Sequence, residues 1–396
     1  MIMKQILKGN EAAAVAAKLA KPDVVAAYPI TPSTDFPEKM SEYVANGELP
    51  YTQFLPVESE HSAMSACVGA AAVGARVCTA TSSQGLELMH EILFIASGMR
   101  LPIVLYNANR ALSAPINIWC DQQDSISARD TGWIQFYGEN NQEGFDLMLI
   151  SFKVAEDPRV LLPAMTCLDA FVCTHTFEPV DVPSQEEVDA FLPSYKPKHV
   201  KLDPKDPWTL GPFGVPEYYQ EIRYTQHLAM KNAEKVIDEV FKDFEKRFGR
   251  KYQKVNPYKV EDADIIFITI GSVSGTTKEF VDKARKEGKK VGAIKLTVLR
   301  PFPFKEILPL IKNAKIVATL ERNISMGYGG AVYADLAGAI INEKDRPFLL
   351  DFILGLGGRD ITFKDLEEIL NVCEDVIKGK KVERPVWIGV NKELIP

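Results

Sequence analysis

Two stretches near the N-terminus hold residue types suited to chemistry. In Tyr28-Pro-Ile-Thr-Pro-Ser33 the Thr31 hydroxyl lies between Pro29 and Pro32, whose rings restrict Tyr28 and Thr31 to extended backbone, so a hydroxyl is presented by a stiff loop. Further on, Glu58-Ser-Glu60-His61 precedes a run of alanine, glycine, serine and cysteine, and a carboxylate there could hold or move a proton. Each has a plainer reading. Asp35 followed by Glu38 makes a capping box downstream of Thr31, and Glu58 and Glu60 are equally first-turn acids stabilised by a helix dipole. His61 has no feature that sets it apart from a surface histidine.

Two further clusters follow. Thr81-Ser-Ser-Gln-Gly85 offers hydroxyls for capping a helix and backbone amides that could bind an anion, and Arg110 in Asn107-Ala-Asn-Arg110 could pair with a carboxylate. These positions need a scaffold that gathers them. Short apolar runs at Val24–Tyr28, Tyr51–Leu55, Arg76–Ala80 and Pro102–Tyr106 alternate with helical patterns near Glu11–Ala20, Pro37–Val44, Ser59–Val73 and Gln84–Met99. Such alternation predicts βαβ units around a parallel sheet. All four clusters then fall at the carboxyl ends of strands, where open α/β sheets bind ligands.

A helix near Gly144–Ala155 and a strand across Val160–Cys173 extend this first unit. Residues 179–216 hold eight of the 25 prolines and read as an extended arm, followed by a long helix from about Glu221 to Phe248 that Gly249 stops. From Asp262 a second α/β series begins, with strands at Ile265–Ile270, Val291–Leu296, Ile316–Leu320 and Leu349–Ile353. Its helices are expected near Thr277–Glu287, Phe304–Lys312, Tyr333–Asn342 and Phe363–Lys378. Two α/β domains are the expectation, at 1–250 and 255–396.

Composition narrows the function classes. With 46% hydrophobic and 25% charged residues, the 396-residue chain has the make-up of a soluble globular protein. No apolar run approaches membrane-spanning length and no secretory signal is read at the start, so a cytoplasmic protein is expected. Residues 1–200 carry a net charge of −11 and the remainder +4, which speaks against nucleic-acid binding. The six cysteines include no C-x-x-C, so neither a zinc ribbon nor an iron–sulfur cluster is expected on this chain, and the thiols read as small buried apolar groups. Phosphate-loop, G-x-S-x-G and H-E-x-x-H motifs are absent, and the clusters at Gly327–Gly330 and Gly355–Gly358 are only partial glycine motifs.

Taken in order, YPITPS (28–33), ESEHSA (58–63), SSQGLELMHE (82–91), NRALSAPINIW (109–119), DQQDSISARDTGW (121–133), VLRPFP (298–303) and GLGGRD (355–360) span nearly the whole chain. This set resembles the alpha chains of the pyruvate:ferredoxin oxidoreductases, 2-oxoacid oxidoreductases that use thiamine diphosphate. The resemblance implies a pyrimidine-type thiamine-diphosphate-binding domain followed by a smaller transketolase C-terminal-like α/β domain. It implies that Glu60, rather than Glu58, hydrogen-bonds the aminopyrimidine N1′, and that Thr31 and Arg110 meet the carboxylate and carbonyl of pyruvate. Pro29, Ile30, Ser83 and Gln84 are the further cofactor-binding candidates. Burial would strengthen the Glu60 contact while the helix N-terminus favours the bare carboxylate, and these act in opposite directions.

No G-D-G…N element for Mg²⁺ and diphosphate is present. By resemblance, the Mg²⁺ half-site belongs to a beta subunit, the [4Fe-4S] clusters belong to partner subunits, and gamma and ferredoxin-like delta subunits complete the assembly. Coenzyme A and ferredoxin are the co-substrates, and the chain is not expected to be active alone. A branched-chain 2-oxoacid substrate (2-oxoisovalerate) and a non-catalytic assembly role are the alternatives.

Overall fold

A computed structural model describes residues 3–197 and 201–395. The first unit runs β1 (Met3–Lys8), α1 (Gly9–Ala20), β2 (Val24–Ala27), α2 (Asp35–Ala45), β3 (Gln53–Pro56), α3 (Glu60–Ala72), β4 (Val77–Thr81), α4 (Gln84–Gly98) and β5 (Ile103–Asn109). After a long loop come α5 (Gln123–Ser127), β6 (Ile134–Tyr137), α6 (Asn141–Ala155), β7 (Ala164–Asp169), β8 (Phe177–Val182), α7 (Gln185–Phe191) and α8 (Pro216–Phe248). The rest contributes β9 (Val255–Tyr258), β10 (Ile265–Ile270), α9 (Val273–Lys286), β11 (Val291–Leu296), β12 (Val298–Arg300), α10 (Phe304–Ile311), β13 (Ile316–Glu321), α11 (Ala331–Ile340), β14 (Phe348–Ile353), α12 (Phe363–Ile377) and β15 (Val386–Trp387).

Two sheets organise the molecule. One has the order β12-β6-β7-β5-β4-β2-β3 and the other β15-β14-β13-β10-β11-β9; only β12 and β9 run antiparallel to their neighbours. Parallel sheets are covered on both faces, which is why β4, β5, β10 and β11 are buried throughout and mostly apolar, with polar residues such as Asn107, Asn109 and Lys295 towards their carboxyl ends. On one face, α1 presents Ala12, Ala13, Ala16 and Ala17, all without exposed surface, so that small side chains let it pack closely against its neighbours. Helix α8 lays Val236, Val240 and Phe244 along one stripe, and the Phe244 ring packs against Phe191, Phe248 and Tyr252. No described helix is long and apolar enough to cross a membrane.

Several expectations need correction. The strand expected over Val160–Cys173 is confined to Ala164–Asp169, because Leu161 and Phe171 adopt positive φ on either side of it. The proline-rich arm is partly regular: its first residues lie in β8, paired antiparallel with β1, and α7 follows behind a Ser184–Glu187 capping box. Residues 198–200 of the arm lie outside the described residues. Helix α8 starts at Pro216, five residues ahead of the expected start, since proline is well suited to an initial helical position.

The capping box expected at Asp35 does not form. Thr34 is already helical at φ −54° and ψ −38°, so the turn begins before Asp35, whose carboxylate instead pairs with Lys8 Nζ at 3.3 Å. All six cysteines are free and buried, in keeping with their reading as small apolar groups.

Candidate active site

Strands β5, β4, β2 and β3 lie side by side and parallel, so the four polar clusters emerge at one edge of the first sheet. Contacts then draw them together. Arg110 leaves the end of β5 buried, donating from Nη1 to the Thr31 carbonyl and from Nε to the Asn117 carbonyl, both at 2.9 Å. Its Nη2 has no hydrogen-bond partner among the described residues and is free to meet an anion. Burial draws the Arg110 guanidinium down from its ordinary value, partly offset by the charge of Asp124. Thr31 itself is exposed, as is Pro29; Ile30 is half-buried, and its carbonyl accepts both the Ser33 N–H and the Ser33 hydroxyl at 2.9 Å, which closes the loop.

The two glutamates separate clearly. Ser59 caps α3 by accepting the Ser62 N–H at 3.2 Å, and this sets Glu60 in the first helical turn with only 6% of its surface exposed. Glu58 stays outside the helix, exposed, accepting the Ser62 hydroxyl at 2.5 Å, and that bond holds its carboxyl below the usual range. Among the described residues no other group hydrogen-bonds the Glu60 carboxylate. Burial pushes its carboxyl up, outweighing the backbone N–H that pulls it down. Gly85 makes room for it, since a Cβ there would meet Glu60 Oε1 at 2.6 Å and also collide with the Thr81 hydroxyl. That hydroxyl, Thr81 Oγ1, is buried with no hydrogen-bond partner among the described residues.

The serine cluster behaves differently from the expected hydroxyl cap. Helix α4 has no side-chain cap; Ser82 Oγ donates to the Ala108 carbonyl at 2.6 Å and Ser83 Oγ to the Ala111 carbonyl at 2.5 Å, so the hydroxyls tie the β4 end sideways to the β5 end. Gln84 is half-buried, and its Nε2 reaches the Ser113 carbonyl at 3.5 Å. Ser83 adopts φ +50° and ψ −124°, a conformation that side-chain-bearing residues rarely enter. Its N–H is held by Asp124, a residue the sequence reading did not single out. Burial pushes the Asp124 carboxyl up to about 7 against the pull of the Ser83, Arg110 and Ser125 backbone N–H groups.

A buried glutamate whose carboxylate has no side-chain partner among the described residues, next to an orphaned hydroxyl and a glycine-made gap, fits an aminopyrimidine whose ring nitrogen seeks a proton-sharing partner. The comparisons with known proteins bear on the cofactor class. The family model described as "Pyruvate flavodoxin/ferredoxin oxidoreductase, thiamine diP-bdg" matches residues 15–242, and "Pyruvate:ferredoxin oxidoreductase core domain II" matches residues 263–366. The chain belongs to the pyruvate flavodoxin/ferredoxin oxidoreductase family. It is 63% identical to the pyruvate synthase subunit PorA of Pyrococcus furiosus over the full length of both, and 49% identical to the ketoisovalerate oxidoreductase subunit VorA of Pyrococcus horikoshii over 98% of this chain and 99% of that one.

Among solved structures, a 2-oxoglutarate:ferredoxin oxidoreductase from Magnetococcus marinus superposes with a TM-score of 0.72 at 20% identity, covering 94% of this chain. This chain spans 65% of that longer one, and the likeness establishes the shared fold.

Proposed function

We propose that this chain is the pyrimidine-holding alpha subunit of a pyruvate synthase, which takes pyruvate, coenzyme A and oxidised ferredoxin to acetyl-CoA, CO₂ and reduced ferredoxin. The observation that carries the proposal is Glu60, buried beside Gly85 with no side-chain partner for its carboxylate among the described residues. When bound, thiamine diphosphate supplies the carbanion that attacks a 2-oxo carbon. Glu60 shares a proton with the N1′ position of its aminopyrimidine, and the raised affinity of Glu60 for a proton suits that sharing. Pro29, Ile30, Ser83 and Gln84 line the same strand ends and form the rest of the cofactor contact from this side. Arg110, held through Nη1 on the Thr31 carbonyl, directs Nη2 at the carboxylate of pyruvate, and Thr31 supplies its hydroxyl to the same substrate.

The remaining parts belong to other chains. A beta subunit holds Mg²⁺ and the diphosphate, and partner chains, including gamma and ferredoxin-like delta subunits, carry the [4Fe-4S] clusters that pass electrons to ferredoxin. Tyr28, Ile116 and Trp119, exposed at 38%, 78% and 52%, edge the site with apolar surface of the kind a neighbouring subunit covers. Pyruvate is favoured over a branched-chain acid because identity to a pyruvate synthase subunit, 63%, exceeds that to a ketoisovalerate oxidoreductase subunit, 49%, both over nearly the whole chain.

The complex purified with its partner subunits should reduce a viologen dye with pyruvate and coenzyme A at a kcat/KM at least tenfold above that for 2-oxoisovalerate. The reverse preference would make it a branched-chain enzyme, and no turnover of either acid would leave the assembly role.

A further inference from the structure

The motif Asp121–Trp133 contains the carboxylate that holds the Ser83 N–H, and that carboxylate is heavily coordinated. Asp124, on the short helix α5, has no exposed surface, and its two oxygens accept five N–H groups. Oδ2 takes the Ser83 backbone N–H at 2.9 Å, the Arg110 backbone N–H at 3.0 Å and Asn107 Nδ2 at 3.2 Å. Oδ1 takes Asn109 Nδ2 at 2.8 Å and the Ser125 backbone N–H at 2.7 Å. Every donor is an N–H, so only a group that accepts at both oxygens satisfies them all.

Two of these donors stand out. Ser83 follows β4 and opens the cofactor side of the crevice, whereas Arg110 follows β5 and opens the substrate side. Their peptides come to the same oxygen atom. At Ser83 this bond acts together with the hydroxyl bond to Ala111 to hold a backbone conformation that costs energy. The next residue, Ser125, is anchored in turn from β6: Gln135 Nε2 donates to its carbonyl at 2.7 Å and Tyr137 Oη lies 2.9 Å from its Oγ.

We propose that Asp124 is a positioning residue for the reaction, one carboxylate oxygen fixing the Ser83 and Arg110 peptides relative to one another so that cofactor and substrate meet in register. The inference rests on the reading of Ser83 and Arg110 as site residues, and touches neither ligand directly. It requires that both peptides are held before any ligand arrives.

The test uses the assembled complex with the Asp124→Asn substitution. The amide keeps the shape but replaces one acceptor with a donor facing donors, whichever way it is flipped. Expected are rises of tenfold or more in the KM for pyruvate and in the Kd for thiamine diphosphate. Asp146→Asn serves as the control: Asp146 is equally buried and holds Arg250 and Tyr252 outside the crevice, so it should lower the melting temperature with KM and Kd unchanged. An Asp124→Asn complex that also loses only thermal stability would overturn the proposal.

Hydrogen–deuterium exchange on the wild-type complex decides the matter even if the variant does not assemble. The Ser83 and Arg110 amides should be as protected as those of β4 and β5 without ligand, whereas fast exchange that slows only on adding thiamine diphosphate and pyruvate would refute pre-positioning. Because exchange does not depend on turnover, an inactive wild-type complex would count against the function and not against the clamp.

Discussion

Single residues decide how buried and how accessible this site is. Gly85 is the clearest case: with a Cβ in contact with both Glu60 and Thr81, Gly85→Ala should abolish tight thiamine diphosphate binding and destabilise the fold by about 1–3 kcal/mol through overpacking. Calorimetric titration of the assembled variant checks the first effect and thermal unfolding the second. In the second unit, Glu321 is buried beside Asp351 and accepts the Tyr333 N–H and Asn323 Nδ2, each at 2.7 Å. Burial first, and the nearby Asp351 second, push its carboxyl from the ordinary 4.5 up to about 7. Between those values the folded chain keeps a proton that the unfolded chain has lost. Stability from this group is therefore full below about pH 4.5 and declines as pH rises to about 7, by on the order of 3 kcal/mol. Glu321→Gln should flatten that decline; an unchanged pH slope of the melting temperature would show that Glu321 does not titrate there.

At the scale of elements, the pattern of apolar runs made most strands legible, because a strand buried on both faces has to be continuously hydrophobic. Strand β6 was missed: Ile134–Tyr137 is only four residues long, and its Gln135 interrupts the apolar pattern. Strand β12 was also missed, because it leaves the second sheet's chain path to pair with β6, a register set by tertiary packing and invisible to local pattern. The site was legible in its clusters and their order along the chain. The sideways serine bonds and Asp124 were not, since a buried aspartate in DQQDSIS looks like any first-turn acid. Helix α8 offers a test of element packing. Phe244, fully buried against three other rings, should cost about 3–5 kcal/mol when cut to alanine, and denaturant unfolding should register it.

For the whole molecule, the second α/β unit does more than flank the first. The loop after β14 lies against the segment that follows Arg110: the Gly358 N–H donates to the Cys120 carbonyl at 2.6 Å, and Asn117 Nδ2 to the Gly357 carbonyl at 3.0 Å. Arg322, at the end of β13, reaches Asp169 at the end of β7 at 3.1 Å. This explains the glycines of GLGGRD without a nucleotide, since Gly358 sits at φ +83° and a Cβ there would collide with Trp119. Gly358→Ala should raise the KM for pyruvate severalfold through Asn117 and Arg110 while leaving thiamine diphosphate affinity unaltered. Equal loss of both would mean a general disruption.

The central claim is that this chain contributes a single carboxylate to the cofactor's pyrimidine, and that it is Glu60. The most direct measurement is the steady-state rate of pyruvate-dependent acceptor reduction by the assembled complex carrying either Glu60→Gln or Glu58→Gln. The account predicts a loss of at least a hundredfold in kcat for Glu60→Gln, within the range general acid–base groups supply, and a near-wild-type rate for Glu58→Gln. A Glu60→Gln complex that turns over at the wild-type rate would contradict it.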